Sequence, residues 1–212
     1  EVKDFRSTWQ FQAEKNWQFR TTEKLEGSNA VVFGVGSIGR EIATVLNANG
    51  VNVTGVGRTR RSGDPQFAEI FSQSESQAAV ADADWVIGVM PLTDQTRNFF
   101  DAEFFTAMKS TARFVNVGRG PSVNESDLRT AITEKQIAGA MLDVFQEEPL
   151  PNTSPLWDLP GLVVSPHMSG DYAASQRDMV IQFLDNLERF MAGKDLVNVV
   201  NKNLGFVHAD QT

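Results

Sequence analysis

The stretch "GVGSIGR" constrains the fold of this chain more than any other. It follows "AVVF" (residues 30–33), a short apolar run typical of a buried parallel strand. It precedes "IGREIATVLNANG", in which apolar residues recur at helical spacing until Gly50. The next apolar run, "VNVTGV" (residues 51–56), predicts a second strand. Strand, glycine turn, helix and strand together predict a βαβ unit that binds a dinucleotide.

The three glycines of this turn have the spacing G-x-G-x-x-G. In such a unit Gly34 allows a tight turn, Gly36 lets a pyrophosphate approach the backbone, and Gly39 lets the helix pack closely on the strand. The helix N-terminus offers free N–H groups and a positive dipole end to the phosphates. The same spacing also arises by chance or in turns that serve structure only, so it is the strand-to-helix context that favours a cofactor site.

The stretch "GRTRR" stands at the end of the second predicted strand. An NAD-preferring site has an Asp or Glu about 20 residues beyond the glycines, where it binds the ribose 2′-hydroxyl. This chain has Gly57 there, followed by Arg58, Thr59, Arg60 and Arg61. Arginine forks and a hydroxyl would hold a 2′-phosphate. The sequence therefore predicts NADP(H) rather than NAD(H); the alternative is a solvated loop with spare positive charge.

The rest of the chain alternates apolar runs with helical patterns. Further strands are predicted in "ADWVIGVMP", "ARFVNVG", "IAGAMLDVF" and "LVVSPH", and helices at 5–17, from Asp101, and in "NESDLRTAITEKQ", where Asn124 and Asp127 resemble a cap with an acidic third position. This alternation predicts an α/β fold, a doubly wound parallel sheet of the Rossmann type, with ligands at the carboxyl ends of the strands. Four phenylalanines are expected in the core rather than at a cofactor: Phe99, Phe100, Phe104 and Phe105.

The composition of the chain argues against several other classes of protein. A chain of 212 residues, 41% hydrophobic and 22% charged, can form one large domain or a domain plus part of another. The formal net charge of -8 argues against a nucleic-acid partner. We find no run of 18 apolar residues and no export pattern, so no membrane partner is expected. The absence of cysteine excludes thiolate metal sites and fits a cytoplasmic location.

Three kinds of polar side chain follow the last three predicted strands. Arg119 follows the first, Asp143 and Glu148 the second, and His167 the third. A lone histidine is more often structural, but one beside a carboxylate and an arginine at equivalent strand ends favours catalysis. The other histidine, His208, lies in a polar tail and is expected to be solvated.

Several motifs in order carry a family resemblance: "GVGSIGR", "MPLTDQTRNFF", "NVGRGPSVNESDL", "AMLDVFQEEPLP", "LVVSPHMSG" and "NVVNKNLGF". Over about residues 17–206 the chain resembles the D-isomer-specific 2-hydroxyacid dehydrogenases. The resemblance implies hydride transfer between a nicotinamide and C2 of a small 2-oxo or 2-hydroxy acid. It implies that Arg119 binds the substrate's carboxylate and carbonyl oxygen, that His167 donates the proton in reduction, and that Glu148 holds and charges the imidazole. The acid itself stays open, with a leaning towards glyoxylate or hydroxypyruvate.

The resemblance also implies the remaining cofactor contacts and the domain organisation. Ser37 and Ile38 would lie at the pyrophosphate, and the other implied cofactor residues are Pro91, Thr96, Val117, Asp143 and Gly170. Residues 1–23 would form an interdomain helix, 24–168 the dinucleotide-binding domain, and 169–212 a return helix and C-terminal segment, a remnant of a second, substrate domain. Members usually carry about a hundred further residues before this segment, so we expect a fragment that binds cofactor without turnover of its own.

Two other functional classes stay open beside the reductase. One is a dinucleotide-sensing interaction protein with the same fold. Such a protein would be expected to lack one or more of the residues Arg119, Glu148 and His167, and all three are present here. The other is an unrelated nucleotide-binding module. The family commonly forms homodimers, and Trp9 and Trp17 could serve such an interface or pack within one chain.

Overall fold

The computed structural model describes residues 4–202 and 205–207, so the prediction for His208 lies outside the described residues. The helices are α1 (Phe5–Ala13), α2 (Ser37–Ala48), α3 (Ser76–Val80), α4 (Ala102–Thr106), α5 (Glu125–Thr133) and α6 (Ser175–Met191). The strands are β1 (Asn29–Phe33), β2 (Asn52–Gly57), β3 (Ile70–Ser72), β4 (Trp85–Gly88), β5 (Arg113–Asn116), β6 (Gly139–Leu142), β7 (Leu162–Val164), β8 (Val200–Asn201) and β9 (Phe206–Val207). Short 3₁₀ turns occupy Gln73–Glu75 and Gly120–Ser122.

Seven strands form one parallel sheet in the order β3-β2-β1-β4-β5-β6-β7. The chain moves outward from β1 to β3 and then crosses back to β4, so the strand order reverses between β1 and β4. Phe33, the last residue of β1, is in register with Val56 of β2 on one side and Gly88 of β4 on the other. The predicted doubly wound Rossmann-type sheet is confirmed. In such sheets ligands bind at the switch point, which here lies beside the end of β1.

Aromatic side chains fill one side of the sheet. The ring of Phe33 contacts those of Phe100 and Phe104 edge to face, with centroids 5.4 and 5.2 Å apart. Phe105 is fully buried, and the partly buried Phe99 packs against the same cluster. The core position expected for these four phenylalanines is therefore confirmed. Edge-to-face packing adds about 0.5–1.5 kcal/mol per pair to the burial itself.

Helix termini follow their local sequence closely. Asn124 caps α5 by accepting hydrogen bonds from the amides of Ser126 and Asp127, at 3.1 and 3.3 Å. The carboxylate of Asp127 does not complete a capping box, because it accepts from the amide of Ala102 at the start of α4. Asp127 thus joins two helices instead of closing one.

Helix α1 is shorter than the predicted span of 5–17. It ends at Ala13 because Lys15 takes a left-handed conformation (φ 53°), and the amide of Asn16 then reaches back to the carbonyl of Phe11 at 2.8 Å. Trp17 lies beyond this end and is 98% exposed, while Trp9 stacks on Phe5 at the surface. Neither tryptophan packs in the core.

Helix α6 follows the sheet and lies within the segment for which the sequence predicts a return helix. It buries none of its side chains, and its exposed apolar residues include Met179, Phe183, Leu187 and Phe190. No helix within the described ranges is long and apolar enough to cross a membrane.

Candidate active site

The glycine turn connects β1 to α2 at the switch point of the sheet. Gly34 has φ 109° and donates its amide to the carbonyl of Val56 at 3.0 Å. A Cβ on Gly39 would lie 1.8 Å from the carbonyl oxygen of Gly34, so any larger residue there would push the helix off the strand. Gly36 faces open space, with nothing within 4 Å of a Cβ position. The turn therefore leaves its outer surface free for a ligand to approach.

The N-terminus of α2 points its first amides into this space. Gly36 is the N-cap and has no side chain to accept a hydrogen bond from them, and Ser37 and Ile38 are exposed. The first N–H groups of a helix lack intrahelical partners and carry the positive end of its dipole. These residues fit a pyrophosphate, which would supply the missing acceptors.

The arginine loop, residues 58–61, follows β2 and is exposed throughout. The guanidinium of Arg58 stacks over the ring of Phe206, 5.1 Å from its centroid. Arg60 forms ion pairs with both Glu69 and Glu75. The backbone of Arg61 pairs with that of Ile70 through two hydrogen bonds of 2.9 and 3.0 Å. The structure thus brings Arg58, Thr59 and Arg61 to the carboxyl end of β2 and ties Arg60 to the sheet edge.

Arg40, which lies outside the arginine loop, fixes the segment that follows this loop. Arg40, on α2, donates to both carboxylate oxygens of Asp64 at 2.9 and 2.7 Å and to Gln66 at 2.6 Å. Its hydrogen bond to Asp64 lowers the pKa of that carboxyl below its ordinary value, despite partial burial. Such a two-pronged contact is stronger and more directional than a single ion pair. The loop after β2 is therefore anchored to the helix that begins at the glycine turn.

Pro91 and Thr96 lie in the loop after β4. The hydroxyl of Thr96 donates to the carbonyl of Pro91 at 2.7 Å and accepts from the amide of Thr93 at 2.8 Å. Thr96 is 5% exposed, so its side chain shapes this loop from within. Pro91, which is half-buried, lies nearer the surface.

Arg119 is exposed in the loop after β5, and its backbone is held from both sides. The buried amide of Asn116 donates to the carbonyl of Arg119 at 3.2 Å and accepts from the amide of Gly118 at 3.1 Å. A Cβ on Gly120 would lie 1.8 Å from the carbonyl oxygen of Phe145, so the loops after β5 and β6 touch. Nη1 of Arg119 donates to the carbonyl of Gly118 at 2.7 Å, and the exposed guanidinium keeps further N–H groups for a ligand while its backbone stays fixed.

His167 and Glu148 form a direct pair. Nδ1 of His167 lies 2.6 Å from Oε2 of Glu148, and the other carboxylate oxygen accepts from the amide of Phe145 at 2.8 Å. Burial opposes the charged carboxylate, but the hydrogen bonds from His167 and Phe145 outweigh it and lower the pKa of Glu148. The imidazole is half-exposed, so its Nε2 can reach a ligand.

Asp143 holds the loop that carries His167. Its buried carboxylate accepts from the hydroxyl of Ser165 at 2.6 Å and from the amides of Met168 and Ser169, both at 3.0 Å. Burial would raise the pKa of Asp143, but these hydrogen bonds lower it to about 2. His167 itself has φ 53°, a conformation that costs a non-glycine residue free energy and needs support from its surroundings.

Two further expected residues lie at this edge. Val117 is half-buried and donates its amide to the carbonyl of Gly88, and Gly170 is exposed, with open space around it.

The structure also shows two supporting residues that were not predicted from the sequence, Asn116 and Ser165. Both stand within the quoted motifs "NVGRG" and "SPH", where a polar side chain just ahead of the functional residue was the available signal.

Comparison with known proteins identifies a matching family and relatives. Residues 1–169 match the family described as D-isomer specific 2-hydroxyacid dehydrogenase, NAD binding domain. A glyoxylate/hydroxypyruvate reductase B from Escherichia fergusonii is 37% identical over 172 residues, which are 80% of this chain and 52% of that protein.

Solved structures show the same fold. The NADPH-dependent glyoxylate/hydroxypyruvate reductase from Sinorhizobium meliloti, in complex with NADP and sulfate, has a TM-score of 0.87 at 27% identity, covering 97% of this chain and 65% of its own. A probable 2-hydroxyacid dehydrogenase from Rhizobium etli, in complex with NADP, has a TM-score of 0.86 at 28% identity, with the same coverage of 97% and 65%. The chain thus spans about half the length of the E. fergusonii relative and under two thirds of these structures.

Proposed function

The chain belongs to the family of D-isomer specific 2-hydroxyacid dehydrogenases, and from that membership we propose that it is the cofactor-binding part of an NADP(H)-dependent 2-oxoacid reductase. The observation that carries this proposal is the contact between Nδ1 of His167 and Glu148, at the carboxyl edge of the sheet. In reduction a carbonyl gains a hydride at carbon and a proton at oxygen. A protonated imidazole held by a carboxylate is suited to deliver that proton.

Each residue of this edge has a distinct role in the proposal. His167 donates the proton to the alkoxide that develops on the substrate's C2 oxygen, through the Nε2 that Glu148 leaves free. Glu148 fixes the ring and stabilises its positive charge. Arg119 binds the planar carboxylate of the substrate, for which a guanidinium has the matching geometry. Asp143 supports the loop of His167 and, with Val117 and Gly170, flanks the nicotinamide half of the cofactor.

The proposed cofactor is NADP(H), with NAD(H) the weaker ligand. When bound, it supplies or accepts the hydride. Gly34, Gly36 and Gly39 leave room for its pyrophosphate, and the amides of Ser37 and Ile38 supply donors. The arginine loop lies where a 2′-phosphate extends from the adenosine ribose. Pro91 would contact the cofactor from the loop after β4, and Thr96 would act by shaping that loop.

The proposed substrate is a small 2-oxo acid of the glyoxylate or hydroxypyruvate class. The names of the curated relatives support this class, and Arg119 requires a carboxylate beside the carbonyl. The test is steady-state NADPH oxidation by the full-length protein with glyoxylate, hydroxypyruvate and glycolaldehyde, which lacks the carboxylate. Turnover of both acids and none of glycolaldehyde supports the proposal. Equal use of glycolaldehyde, or no turnover of any 2-oxo acid, contradicts it.

The proposal extends to organisation and assembly. We propose that residues 1–23, which include α1, form an interdomain segment, that residues 24–168 form the dinucleotide-binding domain, and that residues 169–212 form the return segment of the substrate domain. The exposed Trp9 and Trp17 favour a homodimer, which light scattering would detect as twice the chain mass. The lack of cysteine supports a cytoplasmic location, and the net charge of -8 supports the absence of a nucleic-acid partner.

A further inference from the structure

The three arginines of the arginine loop have different surroundings. The guanidinium of Arg60 bridges two carboxylates, Glu69 just before β3 and Glu75 in the 3₁₀ turn that follows it. It also stacks over the ring of Phe71, 5.1 Å from the centroid. Hydrogen bonds from Ser72 and then from Arg60 lower the pKa of Glu75 to about 2, so this carboxylate stays anionic at neutral pH. Arg60 is thus held by three neighbouring residues at the edge of the sheet.

Arg61 is directed differently. Its backbone pairs with Ile70, and in such extended pairing successive side chains point to opposite sides. Its Nη1 lies 3.7 Å from the position that a Cβ on Gly57 would take, and Val35 of the glycine turn lies 3.1 Å from that same position. Arg61 is therefore on the glycine-turn side of β2, where the adenosine end of a dinucleotide would lie.

Among residues 4–202 and 205–207, no carboxylate forms an ion pair with Arg58 or Arg61. Asp64 is close enough to Arg61 to interact with it electrostatically, but both of its oxygens already accept hydrogen bonds from Arg40. The stacking of Arg58 over Phe206 covers a face of the guanidinium and leaves its N–H edges free to donate. Arg60, in contrast, would have to leave two carboxylates and an aromatic ring to reach a phosphate.

We propose that Arg60 is a positioning residue that anchors the arginine loop on Glu69 and Glu75, while Arg58 and Arg61, with Thr59, select the 2′-phosphate. This assignment of roles rests on the proposed NADP(H) function. The sequence alone predicted that all three arginines bind the phosphate, whereas here only Arg58 and Arg61 do. Glu69 and Glu75 then contribute to cofactor binding by holding Arg60, although neither would touch the cofactor.

The test compares NADPH and NADH binding by calorimetry in the chain and its variants Arg58→Gln, Arg60→Gln, Arg61→Gln and Glu69→Gln/Glu75→Gln. Removing a phosphate ligand lowers the preference for NADPH, and we expect Arg58→Gln and Arg61→Gln each to lower it at least about tenfold. Removing the anchor loosens a loop whose side chains contact the 2′-phosphate, which NADH lacks. We therefore expect Arg60→Gln and the double glutamine variant to weaken NADPH binding to the same extent, by roughly three- to tenfold, and to leave NADH binding within about twofold. Arg60→Lys, which keeps one ion pair, should restore part of the NADPH affinity.

Any other outcome contradicts the roles assigned to the three arginines. If Arg60→Gln lowers the NADPH preference and the double glutamine variant does not, Arg60 is a phosphate ligand. If the double glutamine variant raises the preference for NADPH, the carboxylates of Glu69 and Glu75 compete with the phosphate for Arg60 in the wild type. If Arg60→Gln changes neither affinity, the ion pairs are surface contacts without a positioning role. A wild-type chain that binds neither cofactor contradicts the proposed function itself, which separates that failure from the others.

Discussion

His167 and Glu148 are joined by a contact of 2.6 Å between Nδ1 and Oε2, although they lie on loops that follow two different strands. The second oxygen of Glu148 is held by the amide of Phe145, so the carboxylate cannot rotate freely. Because Nδ1 faces the carboxylate, Nε2 is the ring nitrogen left for a substrate. The pair therefore fixes the orientation of the imidazole before any ligand binds.

Replacing Glu148 should lower the rate of reduction. Its carboxylate holds the ring of His167 through Nδ1, so Glu148→Gln should lower kcat at least about tenfold and change KM little. The measurement is kcat and KM for glyoxylate in the full-length protein. Glu147→Gln is the matched control, because Glu147 is the exposed neighbour of Glu148. An unchanged kcat in Glu148→Gln would remove the assigned role.

Replacing His167 should affect chemistry far more than cofactor binding. Loss of a general acid costs about 10²–10⁴ in rate, so His167→Asn should lower kcat by that factor. The dissociation constant of NADPH should stay within about twofold, since the imidazole faces the substrate. His208→Asn controls for the loss of a histidine. A loss of NADPH affinity as large as the loss of kcat would show that His167 serves the cofactor instead.

Asp143 should make the fold sensitive to acid. Its pKa of about 2 lies below the ordinary value of 3.8, so its stabilising contribution is present above pH 3.8 and is lost as the pH falls towards 2. The shift corresponds to about 2 kcal/mol of unfolding free energy at neutral pH. Urea denaturation across this range should show a smaller loss of stability in Asp143→Asn than in wild type. Asp158→Asn, at an exposed aspartate, should leave the wild-type pH dependence intact.

Two glycines of the same turn should respond in opposite ways. Gly36 faces open space, so Gly36→Val should fold normally and bind NADPH at least about tenfold more weakly, because the side chain occupies the space of the pyrophosphate. Gly39 contacts the backbone of Gly34, so Gly39→Ala should lower the unfolding free energy by about 2–4 kcal/mol. Thermal unfolding and NADPH titration of both variants separate the two effects. Normal cofactor binding by Gly36→Val would place the pyrophosphate elsewhere.

The sequence allowed the sheet to be predicted because its signals are local. Each of β1, β2 and β4 to β7 is a short apolar run between turn residues, and the glycine turn and the cap at Asn124 lie where their motifs stand. Strand β3 was missed, since "IFS" is only three residues long and forms by pairing with β2. Its presence depends on a tertiary contact that no local pattern encodes.

The roles of polar side chains were harder to predict than their positions. Arg60 and Arg61 are adjacent and identical in type, yet one faces Glu69 and Glu75 and the other the glycine turn. That difference arises from the pairing of Arg61 with Ile70, which the sequence does not reveal. Likewise, the buried hydroxyl of Thr96 and the carboxylate of Asp143 were expected at the cofactor, and the structure shows their hydrogen bonds closing loops of the protein.

The glycine turn and the arginine loop together form a site for NADP(H). Calorimetric titration of this chain with NADPH and, separately, NADH tests it most directly. Two charge-assisted contacts to the 2′-phosphate, at about 1.5–3 kcal/mol each, predict a preference on the order of 10²–10⁴ for NADPH. NADPH binding at least about a hundredfold tighter than NADH binding is the result expected from this site. NADH binding as tight as NADPH binding would show that the arginines are surface charge and would contradict the account.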